Sequence, residues 1–162
     1  METLHAIING QVFLPMREVI LEETNKKIVR SFAEAGNRND LDAFDAILTP
    51  DFVRHCEATP EVNVNSCDDF KEFYRETAKT FPDQRMNIDK LVAEGDYVAF
   101  WGTFSGTHSG PMGPFPPTGK KMISEIGGMF RIENGKIAEL WVTWDNLSGL
   151  MQLGLFPLPG SD

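Results

Sequence analysis

Glu133-Asn134-Gly135-Lys136 stands between two apolar runs, residues 121–132 and 137–144, and constrains the fold more tightly than any other stretch. An Asn-Gly pair in that setting predicts a two-residue type I′ turn, because both central residues of such a turn need positive φ. The two runs are therefore expected to pair as antiparallel strands. Alternation along the second puts Ile137, Glu139, Trp141, Thr143 and Asp145 on one face. Ala138, Leu140, Val142 and Trp144 fall on the other. Both faces carry bulk, so cover on both sides is expected. Residues 146–153 read as a short helix with Gly154 as its stop. Asp145, at the strand's end and on the face of Trp141, is the first candidate for chemistry. Its plainer alternative is an N-cap, with the carboxylate accepting backbone N–H bonds of the helix that follows.

The chain ahead of this hairpin changes period once. Residues 24–37 show helical spacing at Ile28, Phe32 and Ala35, with Thr24 as N-cap and Gly36 as stop. Asp40 can cap a second helix with the stripe Leu41, Phe44, Ile47 and Leu48, ended by Pro50. Residues 51–57 then form a short strand or extended piece. Ser66 followed by Asp69 resembles a capping box for a third helix, whose face carries Phe70, Phe73, Tyr74, Thr77 and Phe81 until Pro82 ends it. From Arg85 the period becomes two. Strands are expected over 85–93 and 97–108 around a Glu94-Gly95-Asp96 turn, then a Gly/Pro-rich loop over 109–119. Met112 and Phe115 suit that loop to a lid better than to a solvated connector. Helices first and a four-strand antiparallel meander after them predict an α+β domain. Residues 1–22 hold apolar clusters around Asn9-Gly10 and Pro15, read as a small hairpin or extended arm covering a pocket mouth or a second subunit.

Charge and composition exclude several function classes. The net charge is −9, from 24 acidic and 15 basic residues, with the basic ones scattered. Phosphate binding needs clustered Lys and Arg, so neither nucleic acid nor an anionic membrane is expected as a partner. No apolar run approaches the roughly 20 residues of a membrane span. The first residues carry no basic n-region, so no signal peptide is expected, and the two cysteines, read as reduced thiols, lead to the expectation of a cytoplasmic protein. Cys56 and Cys67 are the two cysteines and read as reduced thiols, with a disulfide between them as the alternative. The three His are too dispersed for a metal motif, and there is no phosphate cradle or nucleophile elbow, so neither metal nor cofactor is expected.

The element order resembles the nuclear transport factor 2-like fold, a cone-shaped domain with a pocket between curved sheet and helices. More closely it is similar to the SnoaL-like polyketide cyclase, or ester cyclase, family. The matching stretches include Asn37-Arg38-Asn39-Asp40-Leu41, Asp51-Phe52-Val53-Arg54-His55, Phe81-Pro82-Asp83 and Leu91-Val92-Ala93-Glu94-Gly95-Asp96. Gly106-Thr107-His108-Ser109-Gly110, Pro116-Pro117-Thr118-Gly119-Lys120, the hairpin, Glu139-Leu140-Trp141, Trp144-Asp145 and Gln152-Leu153-Gly154 continue the match. The resemblance implies three N-terminal helices packed on a curved, mostly antiparallel sheet. It divides the chain into an arm, 1–22, and a SnoaL-like domain, 23–158. It also implies a pocket carboxylate acting as general acid/base in an aldol closure, directly after the residue matching Trp141, assisted by a His near position 128. Val142 and Gly128 occupy those two positions here.

Asp145 and His55 are then the candidate catalytic residues. His55 titrates near neutral pH and is placed at the pocket by the resemblance; its alternative is a structural hydrogen bond. His108, Trp141, Trp101, Tyr74, Phe130 and Phe100 are the candidate pocket lining, with rim or core as their alternatives. Three functions follow. One is acid/base chemistry, cyclase-, isomerase- or hydrolase-like, on a small apolar carbonyl or epoxide. The second is a non-catalytic small-ligand binder lacking the cyclase pair. The third is an interaction module that dimerises through its open sheet, with the N-terminal segment exchanged between subunits. A homodimer is expected from the resemblance and from the uncovered N-terminal apolar clusters.

Overall fold

The computed structural model describes residues 16–156, together with the backbone of two short strands, β1 (Ala6–Ile8) and β2 (Gln11–Phe13). These two pair antiparallel, Ala6 opposite Phe13. The Asn9-Gly10 turn, Pro15 and any cover supplied by the arm lie outside the described residues.

Helix α1 (Met16–Asn37) begins eight residues ahead of Thr24, whose hydroxyl donates to the Ile20 carbonyl one turn back instead of capping. It also runs past Gly36. Its end is made by Asn39 in the left-handed region (φ 54°), with the Asp40 N–H reaching back to the Ala35 carbonyl at 3.0 Å. Gly36 has a different reason to be small. A Cβ there would lie 2.6 Å from the Tyr74 hydroxyl oxygen.

The expected second helix is a single turn, α2 (Phe44–Ile47), with Asp40 accepting from the Ala43 N–H at 3.3 Å. Leu48 leaves it at once for strand β3 (Leu48–His55), which contains Pro50. Strand β3 lies at a sheet edge, and its register slips between Leu48 and Val53, so a proline without an N–H is tolerated there. Helix α3 (Cys67–Thr80) has its Ser66 cap accepting from the Asp69 N–H at 3.0 Å, and the Asn65 N–H bonds back to the Asp69 carboxylate.

Strands β4 (Arg85–Glu94), β5 (Tyr97–Thr107), β6 (Lys121–Glu133) and β7 (Lys136–Trp144) form the expected antiparallel meander. Asn134 and Gly135 both have positive φ (50° and 78°), as the β6–β7 turn requires. The sheet has a fifth member, since β3 pairs parallel with β7, giving the order β3-β7-β6-β5-β4. Helix α4 (Asn146–Leu153) closes on Gly154 in the left-handed region.

The helices lie on one face of this sheet. There Phe32, Phe44, Phe52, Phe70, Phe100 and Phe130 pack ring against ring, with neighbouring centroids 5.0 to 5.4 Å apart. On the other face β7, the strand expected to be covered on both sides, has Glu139 and Trp141 half-buried and Thr143 exposed, while its neighbours are more open. Tyr97, Trp101, Ile123 and Met129 are exposed on that face, among the described residues. No described helix is long and apolar enough to cross a membrane.

Candidate functional site

The candidate residues fall on different surfaces. On the outer face, β3 sets His55 level with Trp141 of β7, and their rings stack at 4.9 Å with planes 14° apart. His55 Nε2 lies 2.9 Å from a Glu139 carboxylate oxygen, and the Arg131 Nε–H donates to the other at 2.7 Å. The His55 contact, followed by Arg131, holds the Glu139 carboxyl below its usual range. Arg131 also donates to Glu133 at 2.8 Å. Trp101 belongs to this same face, 48% exposed, with its ring over Gly127.

Asp145 is exposed at the start of α4, and its carboxylate accepts the Ser148 N–H at 3.0 Å. A hollow of about 510 Å³ opens beside it, lined by Leu147, Ser148, Met151 and Gln152. His108 follows the last residue of β5 and is fully buried. Its Nδ1 accepts from the Thr118 N–H at 3.3 Å, which leaves the ring hydrogen on Nε2, where no hydrogen-bond partner lies within reach. The 109–119 loop is drawn back onto α3, with the Ser109 and Gly110 N–H groups bonded to the Thr80 carbonyl and Met112 packed on the Phe81–Met122–Leu153 cluster.

Phe100, Phe130 and Tyr74 belong to the inner, aromatic face. Burial pushes the Tyr74 phenol up to about 12. Gly128 and Val142 are direct cross-strand partners on β6 and β7. A Cβ at Gly128 would lie 2.1 Å from the Trp141 carbonyl oxygen and 2.9 Å from Phe100 Cε1. Backbone and ring therefore fill the direction in which a side chain at that position would point. Neither residue carries a group that could move a proton.

Arg54 was not among the sequence candidates. It precedes His55 and so faces the opposite side of β3, level with Leu140 of the inner face. Its guanidinium lies 4.6 Å from the Phe73 ring centroid and 5.6 Å from that of Trp144. Nη2 donates to the Thr59 hydroxyl at 3.3 Å, and Nη1 has no hydrogen-bond partner. Burial pulls its pKa down, with the Cys56 thiol beside it acting the other way. Alternation along Phe52-Val53-Arg54-His55 was the available signal for it, since a charge on the face of Phe52 is out of place.

Among the described residues no three His, Cys, Asp or Glu side chains gather as a metal ion would require.

The profile of the SnoaL-like polyketide cyclase family matches residues 26–153. The chain belongs to that family. Among solved structures, this SnoaL-like protein is similar to IdmH of Streptomyces antibioticus, a proposed polyketide cyclase, at 29% identity and a TM-score of 0.72. That match covers 80% of this chain and 98% of IdmH. TsrD of Streptomyces laurentii matches at 28% identity and a TM-score of 0.73, over 83% of this chain and 97% of its own. AclR of Streptomyces galilaeus, a proposed hydroxylase, matches at 28% and 0.73, over 86% and 91%. A search of curated proteins finds no match. The nuclear transport factor 2-like architecture of the SnoaL-like structures is thus also that of this chain.

Proposed function

We propose that this SnoaL-like protein binds a small, largely apolar molecule at the inner face of its sheet and performs no proton transfer on it. The observation that carries the reading is the Gly128–Val142 pair. These are the positions at which the family resemblance implies an acid/base couple, and here they face each other as glycine and valine beneath the Phe100 ring. General acid/base catalysis needs a titratable group within hydrogen-bonding reach of the reacting atom. The two alternative carriers have other partners. Asp145 spends an oxygen on the α4 cap, and His55 lies on the outer face against Glu139 and Trp141. The fold itself leaves the reaction class open, since its neighbours include both a proposed cyclase and a proposed hydroxylase.

Binding is favoured over a purely structural role by the rim of the aromatic face. Phe73, Phe104 and Trp144 are only half-buried, and each keeps ring surface on which an aromatic ligand can stack. The test is thermal unfolding with a panel of naphthalene- and anthraquinone-type phenols, each mixture then analysed for product masses. A ligand at 100 times its Kd adds about 2.7 kcal/mol. For a chain of this size that raises the melting temperature by roughly 5–10 °C. A rise without new masses is the expected result. Turnover that disappears in Asp145→Asn or His55→Ala would restore the enzymatic reading.

We also propose that the outer face receives a second copy of the chain. The exposed Trp101, Tyr97, Met129 and Ile123 on one continuous side of the sheet favour this.

A further inference from the structure

We infer that Arg54 is an anion-recognition residue, which takes the carboxylate or phenolate of an aromatic ligand while Phe73 and Trp144 hold the ligand's ring. The inference rests on the binding reading above and narrows it to a class of ligand, planar aromatic acids.

The case is built from Arg54's surroundings. The residue is 6% exposed, yet among the described residues it has no carboxylate at salt-bridge distance, in a chain with 24 acidic residues to choose from. The other well-buried cation, Lys71, is paired with Asp45. A guanidinium stays charged, and burying one unpaired is costly unless its donors are met. Thr59 meets one, and Nη1 is met by none. An oxyanion reaching Nη1 would be met by its unpaired N–H, a charge-assisted contact stronger than a neutral one.

The flanking residues fit the remainder of such a ligand. The guanidinium lies over the rings of Phe73 and Trp144, within cation–π range of both. Both rings remain half-buried, so each retains surface on which a ligand ring can stack. Trp144 is itself steadied by its indole N–H donating to Asn146 Oδ1 at 2.7 Å. Asn146 Nδ2 in turn donates to the Ala58 carbonyl, beside Thr59, at 2.6 Å. Asn146 thus ties the segment that carries Thr59 to the start of α4.

The test is isothermal titration of the full chain at pH 7 with 2-naphthoate and with its neutral counterpart 2-naphthamide. The expected result is at least ten-fold tighter binding of the naphthoate. In Arg54→Gln that preference is expected to vanish, with naphthamide affinity within about two-fold of the parent. If Arg54→Gln does not fold, Arg54→Lys supplies the variant arm. Losing the planar fork should then weaken naphthoate at least three-fold and leave naphthamide alone. Equal affinity for the two probes, or a preference that survives at position 54, would overturn the role of Arg54 and leave ligand binding intact. Failure of both probes to bind would overturn the binding reading together with the inference.

Discussion

A phenol packed among phenylalanine rings resists ionisation. Burial raises Tyr74 to about 12, against an ordinary value of 10, with Arg85 acting weakly in the opposite sense. Because the folded state holds this proton more tightly than the unfolded chain, its contribution is complete below pH 10 and is lost as pH rises towards 12. Tyr74→Phe is expected to keep neutral-pH stability within about 1 kcal/mol. It should also remove part of the loss between pH 10 and 12 that the parent suffers, as urea unfolding at pH 8 and pH 11 would measure. An identical alkaline loss in both proteins would place the titration elsewhere. Tyr74 also explains a misread signal. Gly36 looks like a helix stop in sequence, because the need for a glycine there comes from a hydroxyl 38 positions away, and local spacing carries no trace of it. Arg54 and His55 were separable onto two faces by alternation. Which face would be covered depends on the helices that pack against it, and that was not written in the strand.

Elements whose limits are set by neighbouring residues were the legible ones. The type I′ turn at Asn134-Gly135, the Ser66 cap of α3 and the Gly154 end of α4 each involve contacts within a few positions. The stretch around Leu48 was not legible in this way. Leu41, Phe44, Ile47 and Leu48 satisfy a helical stripe, yet Leu48 pairs with Ile137, and that long-range parallel pairing outweighs the local pattern. Asp145 is the element-scale test. As the cap of α4 it should tolerate Asn and not Ala, with Asp145→Ala costing about 1 kcal/mol and Asp145→Asn much less. Denaturant unfolding of the two variants distinguishes them. An equal cost for both would point to a role for the charge itself.

At the scale of the molecule the sheet has two unlike sides, and the proposals assign a second copy of the chain to one and a ligand to the other. The outer side, with Trp101 at its centre, is expected to bury on the order of 800 Å² per copy if it forms a stable dimer. Trp101→Glu should then shift the sedimentation-equilibrium mass from two chains to one without altering the far-ultraviolet circular dichroism. A parent that sediments as one chain would remove the dimer. The inner side carries the central claim, that ligand binds beside Arg54 on the face where Gly128 and Val142 stand at the positions for which the resemblance implies an acid/base couple. The three tryptophans report on both sides at once, Trp144 from the inner and Trp101 and Trp141 from the outer. Titrating 2-naphthoate into uniformly ¹⁵N-labelled protein and following the three indole N–H signals is therefore the most direct measurement. Saturable movement of the Trp144 signal, with the other two still, is the expected result. Movement confined to Trp101 and Trp141, or no movement at all, would contradict it.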